Sequence, residues 1–177
     1  MSQAEIAGGQ VTAQGELPAK GHRLRDFELM SRDGHRIRLS DYRGRRNLVL
    51  VFADEQQATA DLLSAMASRY QEFKNWDAEI VVIVQLTSER GGRTKPRLNL
   101  PFPVLLDEDG RIHHQVGASD PSGHVAAAVY VTDRYGEVFG AYRTRDSQSL
   151  PAVDEVLNWL EFVSSQCPEC EPPEWPL

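Results

Sequence analysis

The most reactive side chains belong to the only two cysteines of the chain, set in Cys167-Pro168-Glu169-Cys170. Two residues between cysteines is the spacing of a dithiol–disulfide redox pair, and equally of half a tetrahedral zinc site. The pair follows the last predicted helix, so it lies near a helix C-terminus, whose partial negative charge disfavours a thiolate. Glu169, Glu171 and Glu174 add like charge. A fast nucleophilic thiol is poorly served there, whereas a bound cation would relieve the repulsion. Three roles stay open: a reversible dithiol or disulfide, a metal site, or a structural clip of the tail with no chemistry. Zinc would need two further ligands, drawn from His113, His114, His22, His35 and His124 or from the same pair in a second chain. His113 and His114 are adjacent, which is suggestive, but two surface histidines beside a helix need no function. No cofactor other than zinc is expected.

Two other groups point to partners. Beyond the cysteines, Glu171-Pro172-Pro173-Glu174-Trp175-Pro176-Leu177 is too rich in proline for a helix and should run extended. Trp175 on such a stiff segment could fill a partner's pocket at little entropic cost, or pack back on its own domain. Arg90, Arg93, Lys95 and Arg97 make a basic loop in an acidic chain, suited to an acidic partner or simply to a solvated face.

The totals narrow the classes. A chain of 177 residues fits one domain with a sizeable core. Its 26 acidic against 19 basic residues give a net charge of −7, which opposes a general nucleic-acid or anionic-membrane surface. Met1 to Lys20 lacks a positive stretch followed by an apolar run, and no later run is long enough to span a bilayer. With no disulfide framework, a reducing cytoplasm is the default compartment. A protein partner or a homodimer is the expected association.

Stepping along the chain, residues 1–21 show no apolar periodicity and are predicted to form an extended or flexible arm. Phe27-Glu28-Leu29-Met30, Asp33-Gly34 and Ile37-Arg38-Leu39 predict a hairpin, closed by a turn over Ser40 to Gly44. Asn47 to Ala53 and Glu79 to Gln85 are nearly continuous apolar runs, suited to parallel strands buried on both faces. Between them Leu62, Met66, Tyr70 and Phe73 recur at helical spacing, predicting one amphipathic helix from Ala58 to about Lys74. Pro103 to Asp107, the Asp109-Gly110 turn and a short helix near Ile112 to Val116 follow. Ala127 to Thr132 and Glu137 to Tyr142 predict a second hairpin. Val153, Val156, Leu157, Leu160 and Val163 then place one apolar stripe on a helix from about Leu150 to Ser165. Strand, helix, strand, hairpin and terminal helix make a small α/β sandwich.

Several of these segments, in this order and spacing, resemble the AhpC/TSA and redoxin (peroxiredoxin) group of the thioredoxin superfamily. They are Asp26-Phe27-Glu28-Leu29 with Asp33-Gly34, and Leu39-Ser40-Asp41-Tyr42-Arg43-Gly44. Leu48 to Phe52, the Leu62 to Phe73 helix and Ala78 to Ile83 come next. Leu100 to Gly110 and Val129 to Gly136 complete the set, so the likeness spans about Gly21 to Val163. The resemblance implies a thioredoxin-like fold, a central mixed β-sheet flanked by helices with an N-terminal β-hairpin. It divides the chain into the arm (1–21), the domain (22–165) and a tail (166–177).

It also implies a cysteine at the start of the first long helix, where helix-end amides and a nearby arginine favour the thiolate that attacks peroxide. The matching stretch is Asp54-Glu55-Gln56-Gln57-Ala58-Thr59, with Gln56 and Thr59 nearest the positions of a Cys-x-x-Cys pair. Neither forms a sulfenic acid or a disulfide. His124-Val125-Ala126-Ala127-Ala128-Val129 carries alanine where the resemblance implies a cis-proline and a nearby arginine. Thr59 has no evident general base beside it and reads as a helix cap, while Gln56 and Gln57 read as solvated or as lining a cleft. The expectation is a peroxiredoxin-like binding or accessory subunit that is no peroxidase. The alternatives are a thiol–disulfide oxidoreductase working through Cys167 and Cys170, and a dimer bridged by metal at the same pair.

Overall fold

A strand survives burial on both faces only if its main-chain groups are paired on both edges, and the run Asn47–Ala53 meets that condition. The computed structural model describes residues 20–54, 56–85, 99–119, 122–144 and 149–166. In it Asn47–Ala53 (β3) pairs in parallel with Ala78–Gln85 (β4) and antiparallel with Ala128–Thr132 (β6). Val104–Asp107 (β5) continues the sheet in parallel beyond β4. The predicted N-terminal hairpin, Glu28–Ser31 (β1) and Arg36–Arg38 (β2), adds antiparallel to β5, and Val138–Arg143 (β7) pairs with β6. The result is a seven-stranded mixed sheet in the order β2-β1-β5-β4-β3-β6-β7. It is the thioredoxin-like arrangement that the resemblance implies.

Alternation along β3 splits the core between two faces. Val49, Val51 and Ala53 face α1 (Gln57–Ser68), α2 (Tyr70–Asn75) and α4 (Val153–Ser165), joined there by Leu62, Met66, Phe73, Val156 and Leu160. Leu48, Leu50 and Phe52 face the other way, onto Leu24, Phe27, Leu39, Tyr130 and Ile112 of α3 (Arg111–Gln115). Each such side chain contributes roughly 1.5–3 kcal/mol by leaving water. Among the described residues no helix is long and apolar enough to cross a membrane.

One predicted element is corrected. The single helix over Ala58 to Lys74 is two helices that break at Arg69, whose φ of −112° and ψ of 17° depart from helix values. No glycine or proline marks the place. At the joint the Arg69 guanidinium holds Glu72 at 2.7 Å and, 85 residues away in sequence, Asp154 of α4 at 2.6 Å. Both helices keep their apolar sides on the same sheet face, which is why the spacing of Leu62, Met66 and Phe73 runs through the break.

Helix α3 spans only five residues, too few to persist on its own hydrogen bonds. Side chains hold it. The His113 N–H donates to Asp107 Oδ2 at 2.8 Å, and the ring Nδ1 lies 2.7 Å from the same oxygen. The imidazole packs edge-on against Phe52, with centroids 5.1 Å apart. Tyr130 donates its hydroxyl to the Val116 carbonyl and Arg143 donates to the Gly117 carbonyl, both at 2.6 Å. Gly110 starts the helix at a φ of 69°, and a Cβ there would meet the Gln85 amide nitrogen at 2.3 Å.

Two outcomes follow for stability. Gly110→Ala forces a left-handed backbone on a residue with a Cβ and displaces the Gln85 amide, and it should cost about 1–2 kcal/mol in a urea unfolding experiment. For Asp107, burial alone raises the carboxyl, but hydrogen bonds from the His113 ring and from the His113 and Ile112 main chain outweigh it, holding the carboxyl below the ordinary aspartate range. A carboxyl lowered by folding adds stability above its unfolded pKa of about 3.9 and loses it as pH falls through the lower folded value. Urea midpoints should therefore drop more steeply below about pH 4 in the wild type than in Asp107→Asn. Parallel slopes would refute the assignment.

Candidate functional site

In open α/β sheets ligands bind beyond the carboxyl ends of the parallel strands. Here that end gathers Ala53 ending β3 and Asp54 after it, Gln85 ending β4, Asp107 ending β5, and the alanines that lead into β6. Cross-strand partners line up Leu105, Ile83, Phe52, Ala128 and Arg143 in one row across the sheet.

The first turn of α1 opens onto this end. Gln56 occupies the N-cap with extended backbone but gives no side-chain cap, and it is exposed like Gln57, whose amide reaches Asp61 at 2.7 Å. Asp54 does the capping. Its Oδ1 accepts the Gln56 N–H at 3.1 Å and also the Thr59 hydroxyl. Thr59 is 1% exposed. Two expectations are thereby corrected: Thr59 sits inside the first turn rather than capping it, and it does have a carboxylate beside it. The carboxylate belongs to Asp54, five residues upstream of Thr59 in the segment between strand and helix, a spacing with no helical periodicity to announce it.

Chemically, the turn offers a hydroxyl oriented by a carboxylate together with two solvated amides. No group there is sulfur. Ala126, Ala127 and Ala128 are buried, and all peptide bonds of the described residues are trans. Arg143 was missed at this end. A β-bulge between Val131 and Thr132 shifts the hairpin register by one, which brings Arg143 rather than Tyr142 opposite Ala128.

The histidines do not form the surface pair that their adjacency suggests. His113 is fully buried, with Nδ1 engaged by Asp107 and no partner for Nε2 among the described residues, whereas His114 is exposed. The physical reason is helical geometry: Ile112, His113 and Val116 share the stripe that meets the sheet, and a signal at that spacing was present. His35 and His124 are exposed, and His22 is half-buried. Among the described residues no three of His, Cys, Asp and Glu are grouped to hold a metal. Cys167, Cys170, Trp175, Arg90, Arg93, Lys95 and Arg97 lie outside the described residues.

Comparison with known proteins matches residues 20–141 to the AhpC/TSA family. The chain is 30% identical over 147 residues to a chloroplastic peroxiredoxin Q of Sedum lineare, spanning 81% of this chain and 78% of that protein. It is 30% identical over 140 residues to a chloroplastic peroxiredoxin Q of Suaeda salsa, spanning 77% and 65% respectively. The solved structure of peroxidoxin BcpB from Mycobacterium tuberculosis superposes with a TM-score of 0.68 at 22% identity, covering 81% of this chain and 96% of that one. AhpC from the same organism gives 0.68 at 19% identity, covering 90% and 99%. At those identities the two structures speak for the fold, and the sequence matches speak for descent. The chain belongs to the AhpC/TSA family.

Proposed function

We propose that this is a peroxiredoxin-like protein without peroxidase activity, acting as a binding or accessory subunit for a protein partner or a second copy of itself. The observation that carries the reading is the content of the α1 first turn. Gln56, Gln57 and Thr59 stand where the family implies an attacking thiolate, and no cysteine precedes Cys167. Peroxide reduction needs a group that accepts oxygen and then releases it to a thiol, and neither an amide nor a hydroxyl does so. The contact residues proposed are Gln56 and Gln57 at the sheet end, with Arg93, Arg97 and Trp175. Cytoplasmic residence is part of the same proposal.

A second reading rests on the Cys-x-x-Cys spacing of Cys167 and Cys170, which suits a thiol–disulfide oxidoreductase. The same spacing supports a zinc-bridged dimer.

Hydrogen peroxide consumption in the presence of a dithiol reductant should stay at the protein-free rate for the full chain. The double variant Cys167→Ser/Cys170→Ser should give the same rate. Peroxide or disulfide turnover above that rate, lost in the double variant, would transfer the function to the cysteine pair. Zinc that co-purifies with the chain and vanishes in the variant would favour the metal bridge. A native mass spectrum of the chain in extract, under conditions that preserve complexes, should show more than a lone monomer; a lone monomer would sink the accessory role.

A further inference from the structure

Residues 20–46 hold nine of the 19 basic residues of the chain and only four of its 26 acidic ones, a net charge of +5 against −12 for all the others. The fold gathers part of this charge on one surface. Leu24, Phe27 and Leu39 point into the core, while Arg23, Arg25, Arg43 and Arg45 are all exposed. Two main-chain hydrogen bonds bring the two arginine pairs to the same place. Leu24 donates its N–H to the Gly136 carbonyl and Gly44 donates to the Arg134 carbonyl, both at 3.0 Å, so 23–25 and 43–45 flank the turn that joins β6 to β7. The turn adds Arg134, and it lies at the end of the sheet opposite to the first turn of α1.

The carboxylates nearest the turn are held inward. Asp133 is 6% exposed, and its Oδ1 accepts the main-chain N–H groups of Tyr135 at 2.8 Å and Glu137 at 2.9 Å. Glu137 is half-buried; burial and the adjacent Asp133 raise its carboxyl, against the pull of Arg23. Both oxygens of Asp26 are taken by Ser40, through its N–H at 2.9 Å and its hydroxyl at 2.7 Å. Arg46 is matched by Asp77 at 3.2 Å, whereas no ion pair among the described residues engages Arg25 or Arg45. The outward charge around the turn is therefore positive, in a chain that is acidic as a whole.

We propose that the arginine surface around the β6–β7 turn docks a short, carboxylate-rich segment of a protein partner. The proposal rests on the binding role argued above and gives that role a surface and a partner chemistry. Eight of the nine basic residues in 20–46 are arginine, whose planar fork pairs a carboxylate through two parallel N–H groups. A short acidic segment meets this end alone. A long polyanion such as duplex DNA would run on into a chain whose remaining charge is −12.

The test is fluorescence anisotropy of a labelled oligoglutamate peptide against the full chain. The peptide should bind at low salt and be released at high salt. Binding should weaken by about tenfold or more in Arg25→Glu/Arg45→Glu, with the milder Arg25→Gln/Arg45→Gln falling between that variant and the wild type. Arg36→Glu/Arg111→Glu makes the same change in net charge at exposed side chains elsewhere and should cost less than about twofold. Far-UV circular dichroism should be the same for all four chains. Equal loss in the two charge-reversed variants would overturn the proposal, since net charge alone would then account for binding. So would a wild type that does not bind the peptide at low salt, or one that binds a duplex oligonucleotide more tightly through the same arginines, which would assign the surface to nucleic acid. Peroxide turnover would sink the non-peroxidase reading and leave the peptide result standing, so the two fail separately.

Discussion

The parallel ladder between β3 and β4 is the constraint on which the remaining geometry depends. Seven consecutive partners run from Asn47 with Ala78 to Ala53 with Val84, and all but Glu79 and Val84 are buried. A slip of one residue would turn Val49 and Val51 to the wrong face and leave buried amides unpaired. The register is therefore fixed, and its two ends fix everything attached to them. At one end Asn47 takes the Asp77 carbonyl through its N–H and the Trp76 carbonyl through its side chain, which ties the exit of α2 to the start of the ladder. At the other, the ladder sets where α1 begins, where Gln85 meets Gly110, and which residue of β5 carries its carboxylate into the core.

The second face is held together differently. On the side of α1, α2 and α4 the packing is nearly all apolar, so area burial suffices. On the side of α3 the covering helix is short, and polar groups do the anchoring: the Asp107–His113 pair, the Tyr130 hydroxyl and the Arg143 guanidinium. Unsatisfied groups in such a layer are costly, which makes this face the more sensitive one to substitution.

Much of this was legible in the chain because burial on both faces leaves an unmistakable apolar run. β3, β4, both hairpins and the α4 stripe follow from local spacing alone, and the order of the segments carries the family. What escaped depends on residues distant in sequence. The Arg69 guanidinium at the break meets Asp154, 85 residues away, and the placing of Arg143 needs a one-residue bulge that no side-chain pattern announces. The burial of His113 is hidden for a different reason. A polar residue on an apolar stripe looks exposed until its carboxylate partner, six positions earlier, is brought beneath it. At the candidate site the residue types were visible, but the bond between Asp54 and Thr59 was not, since it depends on how the chain turns out of β3.

That bond changes the electrostatic character of the sheet end. The opening turn of a helix concentrates positive potential from its unpaired amides, and in many proteins this potential draws an anion out of solution. In this chain part of that field is already answered from within, because the Asp54 carboxylate accepts the main-chain N–H of Gln56 and the Thr59 hydroxyl. An arriving anion would have to displace a carboxylate tethered to the same backbone, whereas a neutral amide or hydroxyl would face no such competitor.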